Sequence, residues 1–250
     1  MIEVVNISKA FDTKKVLEDV SCFFEKGKIN LIIGGSGQGK TVLMKCAVGL
    51  YEVDSGKILY DGRNFSEMNF KERKPIRQEI GMLFQGGALF DSMTVEQNVR
   101  FPLTMFTTMT SEEKLERVNF CLQRVNLENA NKIFPSDLSG GMKKRVAIAR
   151  AIAMNPKYLF CDEPNSGLDP KTSILIDELI KEITEEYNIT TIINTHDMNT
   201  VMSMGEKIIF IYNGKKYWEG NNTDIMKSDN KELNDFVFAS RWMQAVKKQF

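Results

Sequence analysis

Residues 34–41 have the composition and spacing of a loop that binds the phosphates of a nucleotide. The segment Gly34-Gly35-Ser36-Gly37-Gln38-Gly39-Lys40-Thr41 fits the pattern G-x-x-x-x-G-K-[ST], in which glycines let backbone N–H groups curl around phosphate oxygens. Lys40 should reach the β- and γ-phosphates, and the Thr41 hydroxyl should bind Mg²⁺. The alternative is an accidental glycine-rich turn, which the strand-like residues before the segment and the helix-like residues after it disfavour.

Two adjacent acids, Asp162 and Glu163, follow the strand-like segment Lys157-Tyr158-Leu159-Phe160-Cys161. An ionised carboxylate at the end of a buried strand must be paired or bound to a metal, so we expect both acids to face a cleft. Together with the phosphate loop they suggest that Asp162 holds Mg²⁺, directly or through water, and that Glu163 orients and polarises an attacking water. Two solvated acids at a strand end are the ordinary alternative.

The single histidine of the chain, His196, lies in Ile193-Asn194-Thr195-His196-Asp197, directly after an apolar stretch. A lone histidine is more often structural than catalytic. Here it follows, in order, the phosphate loop, the sequence Leu138-Ser139-Gly140-Gly141 and the two acids. This order favours a catalytic role for His196.

The elements that must hold these residues begin with β-structure. Residues 2–34 contain short segments rich in Ile, Val and Phe, broken by turn-like residues at 12–14 and at 25–28. The last apolar segment runs straight into the glycines, and apolar residues then recur at helical spacing at Leu43, Ala47 and Leu50. The expected order is therefore strand, phosphate loop and helix.

The middle of the chain, from about residue 86 to 150, has the pattern of an all-helical insert. Thr110 and Glu113 form a capping-box pair, and a second helix should start at Ser139. The basic residues of this second helix fall largely off its apolar stripe: Lys143, Lys144, Arg145 and Arg150. Outside the insert, apolar strands alternate with helices, which predicts an α/β fold with a parallel sheet covered on both faces.

The overall composition limits the possible functions. A chain of 250 residues can form one large domain, or a main domain with a small insert. The formal net charge is zero, so we expect no nucleic-acid partner. The scattered cysteines and single histidine do not make a zinc site, and buried free thiols are expected. No apolar run approaches the roughly 18 residues that a membrane span needs, so any membrane function must come from a partner.

The sequence Leu138-Ser139-Gly140-Gly141-Met142 makes the chain resemble the ATP-binding cassette ATPases. Their fold is a P-loop NTPase (RecA-like) core with an N-terminal antiparallel β subdomain and an inserted α-helical subdomain. The resemblance implies that Ser139 and the N–H groups of Gly140 and Gly141 bind the γ-phosphate of the ATP held by the opposite subunit. Two ATP molecules would then be sandwiched in a head-to-tail homodimer.

The same resemblance implies roles for further residues. Phe11 should stack on adenine, although a core phenylalanine is a serious alternative. Gln85 matches the glutamine that senses Mg²⁺ and the attacking water, Asp169 is the acid of the loop that crosses the dimer interface, and His196 contacts the γ-phosphate. The resemblance covers residues 1–227 as the ATPase domain and leaves 228–250 as a helical tail.

Two positions depart from the most common family pattern. Met142 replaces the glutamine that usually follows Leu-Ser-Gly-Gly, and Asn165 replaces a frequent threonine before Ser166-Gly167-Leu168-Asp169. Neither change removes a catalytic group, so we expect an active ATPase.

Residues 81–103 and 138–147 are similar to the Mla-type ATPases, which power bacterial phospholipid transport. This resemblance implies a peripheral location on the cytoplasmic face of the inner membrane, an integral-membrane permease as partner, a periplasmic MCE-domain lipid-binding subunit and a small accessory subunit. Two alternatives stay open: an ATPase of another importer or exporter, or a soluble assembly ATPase, for example one for iron–sulfur clusters.

Two apolar segments are candidate contact surfaces. The first, in the insert, forms either a groove for a permease helix or the insert's own core: Phe90, Met93, Phe101, Leu103, Met105 and Phe106. The second, in the tail after a predicted Asp229/Glu232 capping box, reaches another subunit or packs on its own domain: Leu233, Phe236, Val237, Phe238, Trp242, Met243 and Phe250.

Overall fold

The computed structural model describes residues 1–247, apart from the side chains of Arg241, Trp242 and Val246. Its strands are β1 (Ile2–Phe11), β2 (Lys14–Phe24), β3 (Ile29–Ile33), β4 (Ser55–Tyr60), β5 (Arg63–Asn64), β6 (Ile80–Leu83), β7 (Tyr158–Asp162), β8 (Thr190–Asn194), β9 (Lys207–Tyr212) and β10 (Lys215–Gly220). Its helices are α1 (Lys40–Ala47), α2 (Arg73–Gln78), α3 (Val95–Phe106), α4 (Ser111–Arg124), α5 (Gly140–Ile152), α6 (Pro170–Tyr187), α7 (Met198–Met204), α8 (Asn222–Lys227), α9 (Lys231–Val237) and α10 (Arg241–Lys247). The chain divides into two compact units, the first made of Met1–Arg73 with Thr190–Phe250 and the second of Lys74–Ile189.

The first unit contains the predicted antiparallel β subdomain, with strand order β2-β1-β4-β5. β1 and β2 pair from Ile2 opposite Phe24 to Phe11 opposite Lys14, so the predicted turn at 12–14 joins them. In the same unit, β3 lies between β8 and β9 and is parallel to both. Every residue of β3 and β8 is buried, as expected for parallel strands covered on both faces.

Helix α1 ends earlier than the apolar spacing predicted. Gly49 follows its last turn with φ 72°, and the Leu50 N–H donates to the Lys45 carbonyl at 2.9 Å while the Gly49 N–H donates to the Cys46 carbonyl at 3.0 Å. These bonds form a Schellman motif, which terminates a helix at a left-handed glycine. Leu50 therefore lies beyond the helix and is 56% exposed, so its predicted place on the apolar face is wrong.

The second unit contains the predicted helical insert. β6 and β7 pair in parallel from Ile80 opposite Tyr158 to Leu83 opposite Cys161, and the described elements between them are helical. The Thr110 capping box is present at the start of α4, and Ser139 is the N-cap of α5, both as predicted. Lys144 is buried at 5% exposure, so its predicted position away from the packed face of α5 is wrong.

The tail packs on the first unit. The predicted Asp229 cap is wrong: the N-cap of α9 is Asn230, whose Oδ1 accepts from the Leu233 N–H at 2.9 Å. The Phe236 ring stacks on Phe210 with centroids 5.6 Å apart. Further apolar tail residues are buried, namely Leu233, Val237, Phe238 and Met243.

The tail residues with described side chains therefore favour packing on their own domain, whereas the Trp242 side chain and Phe250 lie outside the described residues. The boundary between 227 and 228 stays a prediction. Within residues 1–247, none of the helices combines the length and apolarity needed to cross a membrane.

Candidate functional site

The phosphate loop lies between β3 and α1, and two of its glycines occupy positions where a side chain does not fit. Gly34 has φ 148°, and a Cβ there would lie 2.3 Å from the Ile211 carbonyl oxygen. Gly39, the N-cap of α1 with φ 107°, would place a Cβ 2.9 Å from the Val16 carbonyl oxygen. These are the two glycines that the motif specifies, and backbone packing explains why each must be glycine.

A buried cation sits inside this loop. The Lys40 side chain is 8% exposed, and its Nζ donates to the carbonyls of Gly34 at 2.8 Å and Gly35 at 3.1 Å. Gln38 anchors the loop to the β9–β10 turn, since its Oε1 accepts from the Asn213 N–H at 2.5 Å. Ser36, Gly37 and Thr41 are exposed. An ammonium beside a helix N-terminus is an arrangement suited to phosphate.

His196 lies at the same edge of the first unit's parallel strands as the phosphate loop. Ile32 of β3 is opposite Asn194 of β8, and the Thr195 N–H donates to the Ile32 carbonyl at 3.2 Å. Parallel strands end at a common edge, so the segments that follow them emerge together. His196 is exposed in the segment between β8 and α7.

Phe11 ends β1 and is 39% exposed, so the alternative of a core phenylalanine is wrong. Its ring meets Tyr51 edge to face at 5.2 Å between centroids, and Lys9 Nζ lies 5.5 Å from its centroid. An exposed ring held by these neighbours can accept a planar base. Adenine stacking stays a prediction.

The second unit brings Gln85 and Glu163 together. The last paired residues of β6 and β7 are Leu83 and Cys161, and each candidate lies two residues beyond. Lys144 Nζ donates to the Gln85 carbonyl and, at 3.3 Å, to the Glu163 carbonyl. The Gln85 Nε2 donates to Ser166 Oγ at 3.4 Å. Two loops that follow neighbouring strands are thus held through one ammonium.

Asp162 and Glu163 differ in their surroundings. Asp162 ends β7 and is 7% exposed, whereas Glu163 is half-buried and has φ 50°. A non-glycine residue in this left-handed region stores about 1–3 kcal/mol of strain. The Ser166 N–H donates to the Glu163 carbonyl at 3.2 Å and helps to hold it.

Residues 138–142, the signature sequence whose serine is Ser139, form a second site with an exposed helix N-terminus. Ser139 Oγ accepts from the Met142 N–H at 3.2 Å and caps the 13-residue helix α5. A cavity of about 420 Å³ is lined by the residues predicted to bind phosphate and to cross the dimer interface. They are Ser139, Gly140, Gly141, Gly167, Leu168 and Asp169.

Asp169 is fixed by Thr172. Its Oδ1 accepts from the Thr172 N–H at 3.0 Å and its Oδ2 from the Thr172 hydroxyl at 2.5 Å. The hydroxyl bond and then the N–H bond hold the pKa of Asp169 below its ordinary value. The carboxylate at this cavity is therefore ionised and caps α6.

The unusual Asn165 has a structural partner. Its Nδ2 donates to Asp177 Oδ1 at 2.8 Å, and both residues are buried. The bond ties the loop after Glu163 to α6. Asp177 and Thr172 were not predicted from the sequence, and Lys144 was predicted only as a basic residue off the packed face of α5.

The spacing of residues in the sequence does indicate that Lys144 is buried. Lys144, Ala147, Ile148 and Ala151 follow the i, i+3, i+4, i+7 spacing of a buried stripe, and all four are buried.

The candidate Mg²⁺ ligands fit that ion by their chemistry. Thr41, Gln85 and Asp162 offer hydroxyl, amide and carboxylate oxygens, the hard donors that Mg²⁺ prefers alongside substrate phosphates. Thr41 belongs to the first unit, and the other two belong to the second.

Comparison with known proteins identifies relatives along nearly the whole chain. A family model described as "ABC transporter" matches residues 17–166. The chain is 36% identical to the methionine import ATP-binding protein MetN of Campylobacter jejuni, over 97% of the chain and 77% of the relative. It is 35% identical to the probable ribonucleotide transport ATP-binding protein mkl of Mycobacterium leprae, over 96% of the chain and 69% of the relative.

A solved structure has the same fold. It is a dimeric, post-hydrolysis state of the ATP-binding cassette MJ0796 with ADP and Pi, and it superposes with a TM-score of 0.81. The match has 32% identity and covers 89% of this chain and 99% of the other.

Proposed function

The chain belongs to the ABC transporter family and is an ATPase of that family, and we propose that it powers an importer through a separate membrane permease. The observation that carries the proposal is the pair of anion-binding helix starts, the phosphate loop at α1 and the signature at α5. One chain can then bind its own ATP and also hold the γ-phosphate of a second copy's ATP. The expected assembly is a head-to-tail homodimer.

The chemistry is transfer of the γ-phosphoryl group of ATP to water, which breaks the bond between the γ-phosphorus and the bridging oxygen and leaves ADP and inorganic phosphate. Lys40, His196 and the partner copy's signature serine stabilise the charge that develops on the phosphoryl oxygens. Glu163 accepts the proton of the attacking water. Bound Mg²⁺ supplies charge neutralisation at the β- and γ-phosphates, and Thr41, Asp162 and Gln85 would hold it.

The permease contact is proposed at the insert. Met105 is 59% exposed, Phe106 47% and Phe90 40%, whereas Leu103 is buried. The predicted segment thus divides between a packed core and an apolar surface that suits a permease helix. The chain would then lie at the cytoplasmic face of the inner membrane through its permease.

For the cargo, we favour a small solute, with methionine as the first to test. The named relatives are a methionine import protein and a probable ribonucleotide transport protein. They favour the importer alternative over the phospholipid assignment, and a transporter subunit over a soluble assembly factor. The resemblance of residues 81–103 to Mla-type ATPases keeps phospholipid as the second candidate, with the MCE-domain and accessory subunits as its partners.

Glu163→Gln tests the assignment of Glu163 as the general base of ATP hydrolysis. The variant should bind ATP and form a stable dimer but hydrolyse about 10²–10⁴-fold more slowly, because a general base contributes that factor. Glu185→Gln, an exposed glutamate of α6, is the matched control and should hydrolyse normally. Normal turnover by Glu163→Gln would remove Glu163 from this role.

A second assay identifies the cargo. The ATPase is purified with its permease from the native host, reconstituted in vesicles and supplied with ATP. Labelled methionine and labelled phospholipid are then compared, with Glu163→Gln as the inactive control. Transport of phospholipid but not methionine would overturn the cargo that we favour, and recovery without any polytopic membrane protein would overturn the transporter role.

A further inference from the structure

The buried ammonium of Lys144 lies where β6 and β7 end. The two strands pair in register up to Leu83 and Cys161. Two residues further on, Lys144 Nζ bridges the carbonyls of Gln85 and Glu163, the latter at 3.3 Å. Beyond that point no strand pairing in the described part of the chain joins the loop after β6 to the loop after β7. The ammonium joins them there, by binding one carbonyl of each loop.

This cation is not explained by packing. Lys144 is 5% exposed and heads a buried stripe that continues with Ala147 and Ile148. Burial lowers the pKa of Lys144, against the attraction of neighbouring acidic groups. A buried charge is unfavourable unless it is well hydrogen-bonded, and a hydrocarbon side chain would fill this stripe without that penalty. The two carbonyl bonds offset part of that penalty.

The loops that it holds carry the candidate catalytic side chains. Glu163 has a left-handed backbone with φ 50°, so its conformation persists only where neighbours hold it. Arg150, also on α5, donates to the carbonyls of Gly87 and Ala88, both at 2.7 Å. Helix α5 thus binds the loop after β6, which carries Gln85, through both Lys144 and Arg150. It binds the loop after β7, which carries Glu163, through Lys144.

We infer that Lys144 is a positioning residue for hydrolysis, which holds Glu163 and Gln85 in a fixed relation by binding both carbonyls. The inference rests on the proposed function, in which Glu163 is the base. A misplacement of about 1 Å at a reacting group can slow a reaction by roughly 10²-fold. Loss of the ammonium should therefore reduce turnover while the ATP-binding groups remain intact.

The test compares Lys144→Met, Lys144→Arg and the control Lys143→Met in the full chain bound to its permease. Lys144→Met should lower kcat by about 10–100-fold and change the KM for ATP by less than about threefold. Lys144→Arg should recover turnover to within about fivefold of wild type, because a guanidinium also donates to two carbonyls. Lys143, a neighbouring lysine with a more exposed side chain, should be replaceable without loss.

A second measurement separates positioning from folding. Lys144→Met combined with Glu163→Gln should still form the ATP-bound dimer on gel filtration, as Glu163→Gln alone does. Equal turnover by Lys144→Met and Lys143→Met would overturn the inference. So would a failure of Lys144→Arg to recover activity, or a double variant that no longer dimerises with ATP, because each indicates a purely structural role.

Different results would overturn the positioning role of Lys144 and the assignment of Glu163 as the base. Full activity of Lys144→Met beside an inactive Glu163→Gln overturns the positioning role alone. Full activity of Glu163→Gln overturns the assignment of the base, whatever Lys144→Met does.

Discussion

Replacing Gly141 with alanine should destabilise the loop that carries Asp169, because the new methyl group has no room. A Cβ on Gly141 would lie 2.6 Å from Thr172 Cγ2, well inside the usual contact of about 3.5–4.0 Å between carbons. Thr172 cannot turn away freely, since threonine is stiff at χ1 and its hydroxyl and N–H both bind the Asp169 carboxylate. Any rotation that moves the methyl away also removes a capping bond.

The expected loss is that of overpacking, about 1–3 kcal/mol of unfolding free energy. In a protein of this size each kcal/mol lowers Tm by about 2–4 °C. Thermal unfolding followed by circular dichroism measures the difference. Gly140→Ala is the matched control, because its Cβ would lie 3.5 Å from Leu168 Cδ2, an ordinary contact. That variant should stay within about 1 kcal/mol of wild type.

A second substitution, at Thr172, tests whether its Cγ2 methyl group causes the loss of stability. Thr172→Ser deletes Cγ2 and keeps the hydroxyl that binds Asp169, so Gly141→Ala combined with Thr172→Ser should regain most of the stability that Gly141→Ala loses. The double-mutant cycle should give a favourable coupling of about 1 kcal/mol or more. Additive effects, or a Gly141→Ala variant as stable as Gly140→Ala, would refute the steric explanation.

Three further outcomes are expected. Thr172→Val should raise the pKa of Asp169 towards its ordinary 3.8, because the hydroxyl is the main cause of the lowering; carboxyl ¹³C titration checks this. Burial raises the pKa of Cys46 and Cys121 to about 11, so the folded chain holds these protons more tightly than the unfolded chain. Their stabilising effect should be complete below pH 9 and lost as the pH rises towards 11, and unfolding midpoints at pH 7 and pH 10 should show the loss. Arg117→Met should lower stability by about 1–3 kcal/mol, measured by thermal unfolding, because Arg117 donates to the carbonyls of Ile152, the last residue of α5, at 2.8 Å and of its C-cap Ala153 at 2.9 Å.

The parts of the site that follow local patterns were predictable from the sequence. The strand, glycine loop and helix around Lys40 were predicted because a short continuous apolar segment, a glycine-rich loop and an amphipathic helix each leave a local signature. Ser139 as a helix cap follows from the same short-range chemistry. Local signals are less exact at element ends, where Asn230 rather than Asp229 caps α9 and the Gly49 termination leaves Leu50 in solvent.

The parts that depend on long-range contacts were not predictable in this way. Nothing near Lys144 in the sequence indicates that its ammonium meets the carbonyl of a residue 59 positions away. A lysine beside other basic residues is ordinarily a solvated face, and only the spacing to Ala147 and Ile148 suggests burial. The pairing of Asn165 with Asp177 across 12 positions also depends on how α6 folds back.

The glycines of the phosphate loop and of residues 138–142 are required for different physical reasons, which the sequence pattern does not distinguish. Gly34 and Gly39 must be glycine because positive φ and nearby carbonyl oxygens exclude a Cβ. Gly141 has no positive φ, and its constraint is a single methyl group of Thr172. The first constraint belongs to the backbone, so no neighbouring substitution should relieve it. The second belongs to a side chain, so it should be relieved by one change 31 positions away, between Gly141 and Thr172.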